Sequence, residues 1–297
     1  MNDVRKPLVS LILLTYDRAD FVEEALESVV AQTYPEIEII VSDDGSTDPT
    51  MVQLLDRLEE RGLLVLRNPH GGMPSSVHHG MAAARGVYAM ILGDDDLIDP
   101  PYITEAVDVM ESNPQAGFVY CRATLFGSVN GPWGLPDFDI GGILLNNQIF
   151  TTHLFRREDW RTTGGYDLSM VTGREDHDFV LKLLGIGRRP VRLEGTYFHY
   201  RQHERNSLNA SAARTRETLV ANHARIFRNN IDLYQDHAEE FWREIFGLID
   251  EATDLRHRYA PLERLRTGHP RLVGAAKRLL GLARGVADAR PGRRRPR

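Results

Sequence analysis

Four apolar runs in the first hundred residues, each followed by polar residues and a helix-like pattern, limit what this chain can fold into. They are "LVSLILLTY" (8–16), "EIEIIVS" (36–42), "LLVLR" (63–67) and "VYAMILG" (87–93). The first is nearly continuous in apolar character, as a strand covered on both faces must be. Between them, Val22, Ala25, Leu26, Val29 and Val30 recur at helical spacing, with Asp20 and Glu23 set as a capping box. Asp48 and Pro49 open a second helix, a third spans about 74–85, and Pro100 and Pro101 open a fourth. A β-α-β-α order of this kind implies a parallel sheet with crossover helices.

Ligands of such sheets sit at the carboxyl ends of the strands, and three of those ends are polar here. The first run ends at Thr15, Tyr16 and Asp17, the second at "SDDGSTD" with Asp43 and Asp44, and the fourth at "GDDD" with Asp94, Asp95 and Asp96. Three adjacent carboxylates repel one another unless water, hydrogen-bond donors or a cation compensates them. Acids before a helix N-terminus are the bland reading of the triplet. A turn with a helix cap is the bland reading of Asp43 to Thr47.

The chain after Cys121 is less regular. Residues 127–142, rich in Gly and Pro, read as a long loop. A helix follows over about 175–184, then a strand near "VRLEGTYFHYR", then two helices between about 212 and 258. In the first of these helices Asp176, Phe179, Val180 and Leu183 share one face, so Asp176 points inward, with no obvious fixed partner. Asp178 and Lys182 stand four apart on another face and read as a solvated pair. Trp160 reads as core, whereas Trp133 suits either core or the wall of a sugar pocket.

Composition narrows the class. At 297 residues, 42% hydrophobic and 26% charged, the chain has the balance of a soluble globular protein with one large α/β domain and additions. Its one cysteine excludes an internal disulfide and fits a reducing compartment. The N-terminus reads as a strand rather than a signal peptide, and no apolar run is long enough to span a bilayer. Residues 264–297 hold eleven Arg and Lys against one acid, a net +10 that leaves −16 on the rest out of −6 in all. In that tail Leu272, Ala276, Leu279, Leu280, Ala283 and Val286 form one helical stripe. The pattern fits an amphipathic helix on an anionic membrane surface, and equally a disordered basic tail. No aromatic interleaving points to nucleic acid.

Taken together, "VSLILLTYDRADFVEEALESVVAQTYPEIEIIVSDDGSTD", "ILGDDDLIDP", "GGYD" and "GREDHDFVLKL" resemble family 2 glycosyltransferases, in order and spacing, from about 7 to 207. The resemblance implies a GT-A fold, a Rossmann-like, mostly parallel sheet flanked by helices, here with a C-terminal helical extension. It also implies inverting transfer of a sugar from a nucleoside diphosphate donor, with a UDP- or dTDP-sugar expected, to an acceptor hydroxyl on a saccharide, lipid-linked or small molecule. By the same resemblance Thr15, Tyr16, Asp17, Asp43, Asp44, Asp94 and Arg201 are donor-binding, with Asp44 on the base and Asp43 more structural. Asp95, Asp96 and His203 fall to a metal, Mn²⁺ or Mg²⁺. Asp176 is the catalytic base, and Glu175 and Trp133 lie on the acceptor side.

The sequence departs from the family pattern at Gly93, where the first acid of the metal motif would fall, and at Val77-His78, where Arg-Asn is usual. The expected organisation is a nucleotide-sugar half over 1–125, an acceptor and catalytic half over 126–211, a helical extension over 212–260 and the basic tail over 261–297. The expected location is cytoplasmic, with attachment to the inner face of the membrane through the tail. Two rivals stand beside this reading. A nucleotidyltransferase would need a Gly-rich loop with Arg and Lys after the first strand, which "TYDRAD" lacks. The other is an inactive nucleotide-sugar binder, against which the presence of Asp176 counts.

Overall fold

The computed structural model describes residues 6–203 and 215–268. Strand β1 (Val9–Thr15) is buried at all seven positions. It lies between parallel partners β2 (Ile37–Asp43) and β4 (Tyr88–Gly93), with β3 (Leu64–Arg67) outside β2. Helices α1 (Val22–Val30), α2 (Pro49–Glu60) and α3 (Met73–Ala83) make the crossovers. Each fully buried Leu or Ile of β1 contributes about 1.5–3 kcal/mol of transfer free energy, so the central strand anchors the core.

Local signals work where they are complete. Asp48 caps α2, accepting from the backbone N–H of Thr50 at 2.9 Å and Met51 at 3.1 Å, with Pro49 in the first turn. The capping box expected at Asp20 and Glu23 does not form. The N-cap of α1 is Phe21, and Glu23 instead pairs with Arg61 at 2.8 Å.

The second half completes one nine-stranded sheet. Its further members are β5 (Leu97–Ile98), β6 (Ala116–Gly127), β7 (Gly131–Pro132), β8 (Leu154–Arg156) and β9 (Arg189–Gln202). The order is β3-β2-β1-β4-β8-β6-β9-β5, with β7 paired to β6. β6 and β9 run parallel with register shifts, while β8 is antiparallel to both β4 and β6. Helix α4 (Tyr102–Ser112) follows the paired prolines as expected, and α5 (Ile140–Leu145) closes the Gly- and Pro-rich loop. Helices α6 (Arg157–Thr163) and α7 (Glu175–Gly185) follow.

Past residue 214 three helices are described where two were expected: α8 (Arg216–Asn229), α9 (Ile231–Asp236) and α10 (Ala238–Gly268). The chain divides into two compact units, Met1–Phe241 and Trp242–Arg297. The apolar stripe expected at Leu272 to Val286 lies outside the described residues. Among the described residues no helix is long and apolar enough to cross a membrane.

Candidate active site

The ends of β2, β1 and β4 are adjacent, since Thr15 is in register with Asp43 and Leu14 with Gly93. Their acids therefore converge on one edge of the sheet, as the sequence indicated. Asp17 stands in the left-handed region at φ 45°, uncommon for a residue other than glycine. Its Oδ1 accepts from Thr47 N–H at 2.6 Å and Asp48 N–H at 2.8 Å, and the Asp48 bond leads in holding its pKa below the usual range. Asp43 is the structural residue anticipated. Its Oδ2 accepts from Gly45 N–H at 3.1 Å and Ser46 N–H at 2.9 Å. Gly45 has φ 78°, and a Cβ there would meet the backbone N of His70 at 2.7 Å, so only glycine fits this turn.

Asp44 is placed differently from the expectation that it faces a nucleobase. Its carboxylate, buried, accepts from Gly71 N–H at 3.0 Å and Ser76 Oγ at 2.8 Å on one oxygen. The other accepts from Gly72 N–H at 3.0 Å and stands 2.9 Å from His70 Nδ1. All four acceptor positions are filled, so Asp44 fixes the loop that enters α3. The surface offered beside it is aromatic: Tyr16, 46% exposed, stacks on His70 with ring centroids 4.6 Å apart.

The triplet turn carries a cation of its own. Arg18 Nη2 lies 2.5 Å from Asp94 Oδ1 and 2.9 Å from Asp95 Oδ2. Burial works against the Arg18 charge, but Asp94 and Asp95 outweigh it and raise its pKa. Arg18 Nε is buried and has no hydrogen-bond partner. His203 Nε2 is 2.7 Å from Asp95 Oδ2. Asp96 turns inward, where its Oδ1 accepts from Arg201 N–H at 2.9 Å, and burial, then Asp95, raises its pKa well above the carboxylate range. Arg201 does not face a ligand. Its guanidinium is clamped 4.2 Å from the rings of Phe21 and Phe126, with Nη2 on Glu24 at 2.5 Å and Nε on the Asp95 carbonyl at 2.8 Å.

Among the described residues no three His, Cys, Asp or Glu side chains converge on one point. Asp95 and His203 supply two donor atoms, which suits a hard cation that completes its shell with water and phosphate oxygens. At Gly93 a Cβ would meet Asp95 Oδ1 at 3.2 Å, so any side chain there would press on Asp95.

Across from this edge, Gly173 and Arg174, both at positive φ, turn the chain into α7 and set Glu175 and Asp176 on its first turn. Asp176 does have fixed partners. Its Oδ2 accepts from Asn147 Nδ2 at 2.9 Å and Thr151 Oγ1 at 3.3 Å, and its Oδ1 from His177 N–H at 2.8 Å. Burial raises its pKa. Glu175 is 5% exposed with Oε2 unbonded, and burial, then Asp176, pushes it up to about 8. Neither acid makes an ion pair among the described residues. Burial lowers the neighbouring His153 and His177 to about 4, so both are neutral at pH 7.

The Asp178–Lys182 pair forms at 2.8 Å, but it is buried rather than solvated. Asn229 and Asn230 close over Asp178 at 3.1 and 2.9 Å, a cover supplied from the end of α8. Trp160 is core as expected. Trp133 is half-buried, stacked on Tyr200 at 4.8 Å and Phe150 at 6.0 Å, and lines a shallow cavity with Arg122 and Arg192. His78 holds the Tyr166 carbonyl at 2.8 Å and serves packing. Sequence reasoning missed Arg18, whose signal was a cation directly after a strand-end acid. It also missed Asn147 and Thr151, neutral residues in a loop that gave no signal.

The chain is similar to several known proteins. The family model described as glycosyl transferase family 2 matches residues 10–178. An uncharacterized glycosyltransferase of Haemophilus influenzae is 33% identical over 109 residues, 36% of this chain and 34% of that protein. Hyaluronan synthase of Pasteurella multocida is 25% identical over 191 residues, 62% of this chain and 19% of the relative. The O-antigen biosynthesis protein RfbC of Myxococcus xanthus is 28% identical over 188 residues, covering 60% and 14%. The chain thus spans about a third or less of these curated relatives. Among solved structures, S. aureus TarS 1-349 in complex with UDP-GlcNAc superposes with a TM-score of 0.61 at 18% identity, covering 77% of this chain and 72% of that one. That likeness establishes the fold, a mixed α/β sheet of GT-A type.

Proposed function

The chain belongs to glycosyl transferase family 2, and on that premise we propose that it moves a sugar from a nucleoside diphosphate to an acceptor hydroxyl with inversion. One observation carries the reading. A charged sheet edge, built from Asp17, Arg18, Asp94 and Asp95, belongs to the same fold as two adjacent acids, a buried Glu175 and a half-buried Asp176, that make no ion pair among the described residues. The first suits a polar, anionic donor and the second suits proton abstraction.

In this reading the nucleoside lies against the exposed Tyr16 ring, beside Thr15 and the outer oxygen of Asp17. The guanidinium of Arg18, on a side chain one-third exposed, faces the diphosphate, and Asp94 keeps it oriented. When bound, Mg²⁺ or Mn²⁺ would neutralise charge on the leaving diphosphate, and Asp95 and His203 would hold it. Asp176, oriented by Asn147 and Thr151, takes the proton of the acceptor hydroxyl. The acceptor oxygen, relieved of that proton, attacks the anomeric carbon as the bond to the diphosphate breaks. Protonated Glu175 keeps a second negative charge away from Asp176. Trp133 offers an aromatic wall on the acceptor side.

A UDP-sugar is the preferred donor, supported by the UDP-GlcNAc complex of TarS. A saccharide acceptor is supported by relatives named for hyaluronan and O-antigen synthesis. The lone, buried Cys121 fits a cytoplasmic setting, and the +10 tail fits the inner face of an anionic membrane. The test is a panel of UDP-, dTDP-, GDP- and CDP-sugars, read by thermal shift and by donor turnover with and without Mn²⁺. Stabilisation and turnover with a UDP-sugar, lost in chelator, are expected. A panel with no stabilisation and no turnover would remove the reading.

A further inference from the structure

Helix α10 (Ala238–Gly268) leaves a line of apolar side chains in water. Leu248, Leu255 and Tyr259 are 55%, 44% and 57% exposed. Monomeric surfaces scatter such residues singly; here these three lie on one line, with the exposed Trp242, Phe246 and Ile249 outside it. Ile245, Leu248, Ala252, Leu255 and Tyr259 succeed one another at alternating steps of three and four. That is the a/d repeat of a two-stranded coiled coil, with Ile245, Ala252 and Tyr259 at a and the two leucines at d.

Charge decides what covers the seam. In this register Glu251 takes the g position and Arg256 the following e position. In a parallel pair of helices, g of one strand faces e of the next heptad on the other. Two copies of this chain would therefore set Glu251 against Arg256 twice, by symmetry. Neither side chain makes an ion pair among the described residues. A bilayer fits less well. Residues 238–261 carry six acids against three arginines, a charge that an anionic surface repels.

We propose that α10 is a self-association helix, through which two copies of the chain pair in parallel along the Ile245 to Tyr259 seam. The pairing tethers two catalytic units by their C-terminal helices. It is independent of the sugar-transfer reading, because it uses no residue of the candidate active site.

Sedimentation equilibrium on the full chain tests it, with Leu255→Glu, Glu251→Arg and the double variant Glu251→Arg/Arg256→Glu beside the wild type. Wild type is expected at the mass of two chains at micromolar concentration, and Leu255→Glu at the mass of one. Glu251→Arg places like charges in contact and should weaken the dimer about tenfold. The double variant restores opposite charges and should recover wild-type affinity to within about threefold. Far-UV circular dichroism checks that α10 stays helical in each variant. A wild type that stays monomeric at ~100 µM overturns the proposal, as does a dimer that Leu255→Glu leaves intact. Failure of the second charge change to rescue the first overturns the parallel register. Loss of binding to anionic vesicles, rather than of mass, on Leu255→Glu would assign the face to a membrane instead.

Discussion

The donor edge and the α7 turn both concentrate carboxylates, yet they solve the electrostatic problem in opposite ways. At the donor edge compensation is built in. Arg18 bridges Asp94 and Asp95, His203 meets Asp95, and backbone N–H groups take up Asp17 and Asp44. At α7 there is almost none. Glu175 keeps an unbonded oxygen, and among the described residues the side chains hydrogen-bonded to Asp176 are the neutral Asn147 and Thr151. Paired charges make a surface that can exchange its partners for an anionic ligand. Acids without an ion-pair partner have their pKa raised, so Glu175 keeps its proton to about 8 and Asp176 is a stronger base than a free carboxylate. The contrast supports the proposed division, with binding at one region and proton transfer at the other.

The strongest way to break that division is at Asp176. Asp176→Asn keeps size and hydrogen bonding but cannot accept a proton, so sugar transfer should fall by roughly 10² to 10⁴. Steady-state transfer at saturating donor checks this. On the other side, Asp95→Ala should lower metal-dependent affinity for UDP by about 10- to 100-fold. Calorimetry in Mn²⁺ and in chelator separates the two contributions, and equal losses in both would refute a metal role for Asp95. A third change sharpens the donor edge. Arg18→Met removes the guanidinium that pairs with Asp94 and Asp95 and should weaken UDP about tenfold, the scale of one hydrogen bond to a charged group. Unaltered UDP binding would leave Arg18 as a structural brace.

A further test reads stability rather than activity. Glu175 sits at about 8 in the fold against 4.5 for a free side chain. Between those values the native state holds a proton that the unfolded chain has lost, so stability falls as pH rises. The Glu175 contribution is complete below about 4.5 and gone above about 8. Glu175→Gln cannot ionise, so its Tm should draw ahead of wild type as pH climbs from 5 to 8 and then level off. Parallel Tm profiles for the two proteins would show that Glu175 ionises normally.

The parts of this molecule that the sequence disclosed are those governed by nearby residues. The apolar runs ending in acids predict the parallel strands and the edge on which Asp17, Asp44 and Asp94 meet, because a strand and its loop are contiguous. Asp48 with Pro49 predicts its own helix start for the same reason. What stayed hidden depends on distant partners. Asp44 is occupied by the N–H groups of Gly71 and Gly72, more than twenty-five residues on. Asp178 reads as exposed until Asn229 and Asn230, about fifty residues away, cover it. Arg201 reads as a phosphate ligand until Phe21 and Phe126 close on its faces. The antiparallel β8 is three residues long, too short to show a period of its own.

The most direct test of the division between binding and chemistry is the UDP affinity of Asp176→Asn, measured by calorimetry beside the wild type in Mn²⁺. In the proposed reading the nucleotide is held at the strand-end edge, around Tyr16, Asp17, Arg18 and Asp95, so affinity should stay within about twofold while transfer collapses. A variant that loses UDP binding yet keeps its turnover at saturating donor would contradict the division and make Asp176 a binding residue.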